Sequence, residues 1–328
     1  MISIIGGSGF IGTRLCRRLR ASGSSFLVFD KAMSRAFPEV CTVGDVRNPE
    51  ALRAWLPESS ILVNLAAEHR DDVTPTSLYD EVNVQGARNI CAAAIAKSVD
   101  TIVFTSSVAV YGFAPIGTDE SGMIRPFNDY GRTKYEAEAV FSTWQADDAA
   151  RRTLVIIRPT VVFGERNRGN VYNLLKQLAS NAFVMVGRGE NRKSIAYVEN
   201  VAAFVQHCLR LGPGVHVYNY ADKPDFTMNN LVLHVRELLG KSGGIGPRLP
   251  YAVGVFIGRM FDVVSKVTGA RFAVSAIRVR KFCADSVYSA AVGETGFVPP
   301  VSLHDALERT VRREFIDPDA GEELFYSE

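Results

Sequence analysis

Tyr130 and Lys134 stand four residues apart in Tyr130-Gly131-Arg132-Thr133-Lys134, a spacing that puts both side chains on one face of a helix. A phenol beside an ammonium is a proton donor and acceptor, because the positive charge favours tyrosinate and draws the pKa toward working pH. Ser107 ends an apolar, β-branched run, Thr101–Ser107, which reads as a strand. At the carboxyl end of such a strand, where ligands of parallel sheets sit, its hydroxyl is placed to bond a reacting oxygen. Together the three side chains can move a proton on or off a carbinol while its carbon is oxidised or reduced. A tyrosine and lysine at this spacing read by themselves as a surface pair. The case for chemistry rests on what lies upstream.

Upstream is a glycine turn, Gly6-Gly7-Ser8-Gly9-Phe10-Ile11-Gly12, directly after the apolar run Ile2–Ile5. It can be read as GxGxxG from Gly7 or as GxxGxxG from Gly6. Either way, small residues let the backbone approach a pyrophosphate, and the following helix presents free N–H groups and a positive dipole end. Asp30 closes the next strand, Phe26–Asp30, where a carboxylate bonds the ribose hydroxyls of adenosine. That carboxylate would repel a 2′-phosphate and so favours NAD; Lys31 and Arg35 nearby can offset it, which leaves NADP open. With a nicotinamide at hand, hydride moves between it and the carbinol carbon, Tyr130 gives or takes the proton, and Lys134 also holds the nicotinamide ribose.

These residues need a scaffold that alternates strands and helices, and the first half of the chain has one. Strands are expected over Ile2–Ile5, Phe26–Asp30, Cys41–Asp45, Ile61–Ala67, Thr101–Ser107 and Leu154–Thr160. Helices are expected over Gly12–Ala21, Asn48–Trp55, Tyr79–Lys97 and Tyr130–Gln145. The expectation is an α/β fold, a Rossmann doubly wound parallel sheet with a smaller C-terminal α/β substrate domain. Residues 1–162 read as the dinucleotide-binding core, and residues 163–328 as mostly the substrate portion, returning a strand or two to the core. In that second half, helical patterns (Tyr172–Ser180, Val201–Leu211, Asn229–Leu239) mix with glycine- and proline-rich loops such as Lys241–Pro250.

Composition narrows the class. The 328 residues are 47% apolar and 22% charged, a globular balance. Lys plus Arg against Asp plus Glu gives 37 − 35 = +2, too weak a field to suggest nucleic acid. Five scattered cysteines without a CxxC pair argue against a disulfide framework or a zinc site and for a reducing compartment. With no signal-peptide pattern at the N-terminus, the expected location is cytoplasmic. The apolar stretch Tyr251–Gly269 is interrupted by Arg259, Asp262 and Lys266, so it is no membrane span and reads as an amphipathic helix packed on the second domain. A membrane-surface helix is the alternative, which leaves peripheral contact open.

Thr105-Ser106-Ser107-Val108-Ala109-Val110-Tyr111-Gly112, followed by Tyr130-Gly131-Arg132-Thr133-Lys134 and preceded by the glycine turn, resembles the extended short-chain dehydrogenase/reductase family in its nucleotide-sugar epimerase/dehydratase branch. The resemblance runs from Met1 to about Phe315. It implies cofactor contacts from Gly6, Gly9, Phe10, Ile11 and Gly12, from Asp30 and Lys31, from Asp45 and Val46 near the adenine, and from Leu65, Ala66 and Ala67 beneath the cofactor. Pro159, Tyr130 and Lys134 complete that set, with Ser107, Tyr130 and Lys134 as the catalytic residues. Where dehydratases of the branch carry an Asp–Glu pair after the serine, this chain has Val108 and Ala109, so water elimination is disfavoured.

On the substrate side, Gly187 to Ala202 resembles the family stretch in which a basic residue meets a sugar-nucleotide diphosphate, and Lys193, with Arg192 beside it, falls on that position. Arg278, with Arg280 and Lys281, is a second basic cluster that reads equally as a strand edge, and His69 is a further pocket candidate. The runs Ala66–Ala93 and Asn170–Val201 are most similar to bacterial 4-ketoreductases that form UDP-N-acetylquinovosamine in surface-polysaccharide synthesis. The expected function is therefore 4-ketoreduction of a UDP-4-keto-6-deoxy-N-acetylhexosamine. Two alternatives stay open: a UDP-hexose 4-epimerase, and a cofactor-binding sensor without turnover. The resemblance also implies a homodimer, paired through the helices Tyr79–Lys97 and Tyr130–Gln145 with a seam at Val82, Ile90, Ala93, Ala94 and Lys97.

Overall fold

Strands buried on both sides carry apolar residues at successive positions, not alternate ones, and Ile4-Ile5, Leu62-Val63 and Leu154-Val155-Ile156-Ile157 are of that kind. The computed structural model describes residues 1–70, 73–268, 275–318, 321 and 323–326. Its strands are β1 (Ile2–Ile5), β2 (Phe26–Asp30), β3 (Cys41–Val43), β4 (Ile61–Asn64), β5 (Thr101–Thr105), β6 (Thr153–Pro159), β7 (Val161–Phe163), β8 (Met185–Val186), β9 (Arg192–Tyr197), β10 (Gly214–Tyr220), β11 (Asp222–Thr227) and β12 (Arg248–Leu249). Its helices are α1 (Phe10–Ala21), α2 (Pro49–Trp55), α3 (Ser77–Tyr79), α4 (Gly86–Ala96), α5 (Asp129–Ala146), α6 (Asn170–Ala179), α7 (Val198–Cys208), α8 (Met228–Leu238), α9 (Tyr251–Thr268), α10 (Ala276–Cys283) and α11 (Leu303–Val311).

Seven strands form one parallel sheet in the order β3-β2-β1-β4-β5-β6-β10. This is a Rossmann-like doubly wound sheet, with the direction of winding reversing between β1 and β4. Neighbouring residues of one strand serve opposite faces. Ile4, Val103, Val155 and Ile157 pack with Leu15, Val201 and Phe204 of α1 and α7. Ile5, Ile102, Phe104, Leu154 and Ile156 pack with Ile90, Phe141 and Trp144 of α4 and α5. A third apolar cluster, around Leu175, Tyr197, Val232 and Leu307, holds the C-terminal layer over the carboxyl-end side of β6. Among the described residues, no helix is long and apolar enough to cross a membrane.

The structure revises several sequence-based expectations. The runs expected over Ile61–Ala67 and Thr101–Ser107 leave the sheet at Asn64 and Thr105 and continue as loops at its carboxyl edge. Asn64 turns the chain there by accepting the Ala66 N–H at 3.2 Å. The helix expected over Tyr79–Lys97 is three pieces, with a π turn at Asp80–Gln85 between α3 and α4. Arg278, Arg280 and Lys281 are not on a strand edge. They lie in α10, which Ser275 caps through the Arg278 N–H at 3.2 Å and whose inward residues, Ala276 and Val279, are at helical spacing. Of the proposed dimer seam, Ile90, Ala93 and Ala94 are buried in this chain's own core, so they are not available to a second copy. The stretch Tyr251–Gly269 is a helix as far as Thr268, Gly269 lying outside the described residues. That helix packs through its glycines and Val255, while Val253, Phe256, Met260, Val263 and Val264 are exposed.

A buried ion pair joins the layers. Arg158, near the end of β6, donates to both Glu138 oxygens on α5 at 2.9 and 2.6 Å, and to the Tyr111 hydroxyl at 2.6 Å. Tyr111 in turn donates to Asn219 of β10 at 2.8 Å. Both charged side chains are almost fully enclosed, so each depends on the other for the hydrogen bonds that water would otherwise supply. Glu138→Ala is expected to cost roughly 3 kcal/mol or more, because it strands the Arg158 charge in the interior. Urea unfolding checks this; a variant as stable as the parent would show that the pair is not needed.

Candidate active site

The carboxyl edge of the sheet gathers the residues singled out in the sequence. Gly6 follows β1 at the point where winding reverses, with φ +79°, and a Cβ there would lie 2.6 Å from the Ala66 amide nitrogen. Only glycine lets the β1 turn and the loop after β4 approach so closely. Gly12 lies inside the first turn of α1, where a Cβ would meet the Gly6 carbonyl at 2.5 Å and the Gly7 Cα at 2.6 Å. The result is a cradle floored by backbone at the N-terminus of a twelve-residue helix, which opens with Gly9 as cap and with Phe10 and Ile11 as its first residues. Asp30 reaches across from the end of β2, accepting the Ser8 N–H at 2.9 Å and the Ala32 N–H at 3.1 Å. Those bonds fix the carboxylate beside the glycine turn, with Lys31 exposed next to it. Asp45 lies just past β3, ion-paired with Arg47 at 2.9 Å, and this guanidinium holds its carboxyl below the usual range. Val46 is buried under α4, where it packs at Gly86. Leu65, Ala66 and Ala67 form the half-buried loop after β4, and Pro159 ends β6.

Ser107 and Tyr130 are brought together by two short-range devices. Ser107 caps the single turn Val108–Tyr111, its Oγ accepting the Ala109 N–H at 3.1 Å. Asn128 caps α5 through the Gly131 N–H at 3.0 Å. Gly131 then allows contact between the two turns, since a Cβ there would sit 2.5 Å from the Ala109 carbonyl oxygen. At this junction the Tyr130 phenol and the Ser107 hydroxyl are neighbours. Burial raises the Tyr130 phenol above its ordinary range, and the neighbouring Ser107 hydroxyl pulls it back in part.

Lys134 lies one turn further along α5 and is only 2% exposed, with its ammonium over the Phe104 ring at 4.2 Å. Burial drives its pKa down to about 7, opposed by the nearby Glu138 charge. The sequence spacing alone predicts that the ammonium lowers the phenol's pKa. Here desolvation dominates both groups, and the phenol is raised.

Asn83 is a residue that the sequence reading misses. From the π turn its Oδ1 accepts the Glu68 N–H at 2.8 Å, and its Nδ2 donates to the Glu68 carbonyl and the Thr133 hydroxyl, both at 3.0 Å. One buried amide thus ties the loop after β4 to the helix that carries Tyr130 and Lys134. The available signal is a polar residue between Val82 and Val84, which is faint beside the neighbouring Asp80, Glu81 and Gln85.

The substrate-side candidates fare unevenly. His69 is exposed at the end of the β4 loop, its Nδ1 3.4 Å from the Ala67 carbonyl. Arg192 is exposed at the start of β9, whereas Lys193 is committed elsewhere: its ammonium donates to the Lys281 and Ala284 carbonyls at 2.8 and 2.7 Å. Lys193 therefore fastens α10 to β9 rather than facing a ligand, and burial lowers its pKa to about 8. Arg278 is exposed on α10. A cleft of about 650 Å³ opens nearby, lined by Phe113, Arg188, Asn191, Tyr251, Ile277 and Arg280 among others.

The buried lysine has a testable consequence. Between pH 7 and its unfolded value near 10.5, the folded protein holds fewer protons at Lys134 than the unfolded chain, so this group's penalty is complete below about pH 7 and fades as pH rises. Lys134→Met should therefore stabilise the cofactor-free protein most at about pH 6 and least near pH 10. Thermal melts across that range check the sign; a pH-independent difference would contradict the burial of a titrating ammonium.

Comparison with known proteins agrees with this geometry. Residues 2–221 match the model of the NAD dependent epimerase/dehydratase family. The chain is 48% identical over 331 residues to an N-acetyl-alpha-D-glucosaminyl-diphospho-ditrans,octacis-undecaprenol 4-epimerase of Escherichia coli O157:H7, covering 100% of this chain and 99% of that one. It is 26% identical to a UDP-glucose 4-epimerase of Vibrio cholerae, covering 82% and 85% of the two chains. In fold it is similar to a UDP-glucose 4-epimerase of Thermus thermophilus solved with NAD, at TM-score 0.71 and 20% identity over 94% of this chain and 97% of that one. The glycine cradle and the Asp30 carboxylate suit the cofactor of such enzymes. The chain belongs to the NAD dependent epimerase/dehydratase family, in the nucleotide-sugar branch of the extended short-chain dehydrogenases, and NAD is its cofactor.

Proposed function

We propose that the protein is a 4-epimerase of an N-acetylhexosamine carried on a diphosphate, with a polyprenyl diphosphate as the carrier. The observation that carries this reading is the 48% identity, over the whole of both chains, to an enzyme named for that reaction. It replaces UDP-linked 4-ketoreduction as the preferred reading, and the two share the same machinery. When bound, NAD takes up and returns the electron pair at the sugar carbon.

The chain's own residues supply the rest. Tyr130 Oη, as phenolate, takes the proton of the 4-hydroxyl and later returns it, and Ser107 Oγ, beside Tyr130, would hold the sugar oxygen in line with it. Burial keeps Tyr130 protonated in the empty site, so it must first release that proton to solvent, with the Lys134 ammonium one helical turn away as counter-charge, and only the resulting phenolate takes the sugar proton. Gly6, Gly9, Phe10, Ile11 and Gly12 would cradle the dinucleotide diphosphate, with Asp30 at the adenosine ribose, Asp45 and Val46 towards the adenine, and Leu65, Ala66, Ala67 and Pro159 lining the site. Arg192, with Arg188 and Arg280 of the cleft, would hold the sugar diphosphate, since exposed guanidiniums suit that anion. Val108 and Ala109 leave no acid–base pair for elimination, consistent with a reaction that only inverts a carbinol.

Two outcomes test this. Purified enzyme should interconvert polyprenyl-diphospho-N-acetylglucosamine and its C4 epimer with no net change in nicotinamide absorbance, and Tyr130→Phe should lower turnover by roughly a hundredfold or more while retaining cofactor. Stoichiometric consumption of reduced nicotinamide with a UDP-4-keto sugar, and no epimer from the lipid-linked sugar, would restore the ketoreductase. For the cofactor, Asp30→Ala should weaken NAD(H) binding more than NADP(H) binding in titration; equal losses would remove Asp30 from the ribose site.

A further inference from the structure

In α9, two glycines and Val255 face inward, while a row of large apolar side chains faces outward. Cβ atoms at Gly254 and Gly258 would lie 2.6 Å from the Val186 side chain and from the Ala276 backbone nitrogen, so these glycines seat the helix against β8 and α10. Val253, Phe256, Met260, Val263 and Val264 follow one another at helical spacing on the opposite side, and all are exposed, Phe256 by 63%, Met260 by 55% and Val263 by 61%. Ile277 of α10 continues this surface and is 45% exposed. A stripe this apolar, concentrated on one helix, is not how a surface helix satisfies water.

The charges beside the stripe indicate its partner. From Tyr251 to Cys283 the sequence has Arg259, Lys266, Arg271, Arg278, Arg280 and Lys281 against the single acid Asp262. Asp262 is turned inward, accepting the Ala276 N–H at 3.1 Å. Arg259, Arg278 and Arg280 are exposed. An apolar helix face bordered by cations fits the interface of an anionic bilayer, with acyl chains meeting the stripe and headgroup phosphates meeting the arginines. A second copy fits poorly, because two-fold pairing of this face would bring the same arginines of both copies together.

We propose that α9, with Ile277 of α10, docks the enzyme in the plane of an anionic lipid bilayer. The surface adjoins the cleft through Tyr251, Ile277 and Arg280, so a docked enzyme would meet a diphosphate emerging from the headgroup layer while the polyprenyl chain stays in the membrane. This inference rests on the lipid-carried substrate of the preceding subsection and extends it to a surface outside the reacting residues.

The test is sedimentation of the full chain with vesicles of phosphatidylethanolamine and phosphatidylglycerol. The parent should pellet with them, less so at high salt, and Phe256→Glu with Met260→Glu should lower partitioning roughly tenfold or more. Thermal unfolding and epimerisation of a water-soluble, short-chain prenyl-diphospho-sugar should be unchanged in that variant, which excludes misfolding. A parent that stays in the supernatant while converting the short-chain substrate would overturn the docking surface and leave the substrate reading standing. Vesicle binding without conversion of any lipid-linked sugar would support the surface and overturn the substrate reading alone. A concentration-dependent dimer in sedimentation velocity, dissociated by the same substitutions, would assign the face to self-association and overturn the proposal.

Discussion

The candidate site depends on two buried charges being tolerated in one helix. Lys134 and Glu138 are a turn apart on α5, and both sit in an interior where an unsatisfied charge is costly. Glu138 is matched by a bidentate guanidinium from Arg158, and that match fixes α5 against the end of β6 and, through Tyr111 and Asn219, against β10. Lys134 has no such carboxylate clamp among the described residues and rests over an aromatic ring, so its charge is held weakly. The contrast separates structure from chemistry. The matched pair locks the scaffold, while the unmatched ammonium can respond to whatever charge develops at Tyr130.

Close backbone approach is the second device, and it recurs wherever the site is assembled. Gly6 brings the β1 turn to the loop after β4, Gly12 brings α1 onto the β1 turn, and Gly131 brings α5 onto the turn that begins at Ser107. In each case a methyl group would collide with main chain, which cannot rotate away as a flexible side chain can. The site is therefore set by contacts between backbones, and its side chains inherit their positions from them. Asn83 completes the assembly by satisfying a loop and a helix with one amide.

Much of this is legible in the sequence, because the relevant signals are local. Paired apolar residues mark a strand buried on two faces, glycines mark where a chain must turn or touch, and a four-residue spacing puts Tyr130 and Lys134 on one face. What is not legible depends on neighbours distant in the chain. The Lys193 ammonium is claimed by the carbonyls of Lys281 and Ala284, 88 and 91 residues away, and nothing around position 193 signals it. Ile90, Ala93 and Ala94 look the same whether they face a partner or their own sheet, and here they face the sheet. Arg278 and Arg280 alternate as in a strand, but the burial of Ala276 and Val279 makes α10 a helix. The direction of the Tyr130 shift escapes the sequence for the same reason: proximity of a charge can be read from spacing, but desolvation cannot.

The α9 pattern follows from the same reasoning about what folding requires. A helix that only has to pack would place Phe256 and Met260 inward and its glycines outward, gaining burial and sparing the backbone entropy that glycine costs in a helix. This chain does the reverse at these positions, with Gly254 and Gly258 against the protein and Phe256 and Met260 facing solvent. Close packing through glycine fixes the helix rigidly against β8 and α10, and that rigidity gives the outward face a defined plane. The result is an apolar plane with arginines beside it, next to the cleft that Arg188 and Arg280 line.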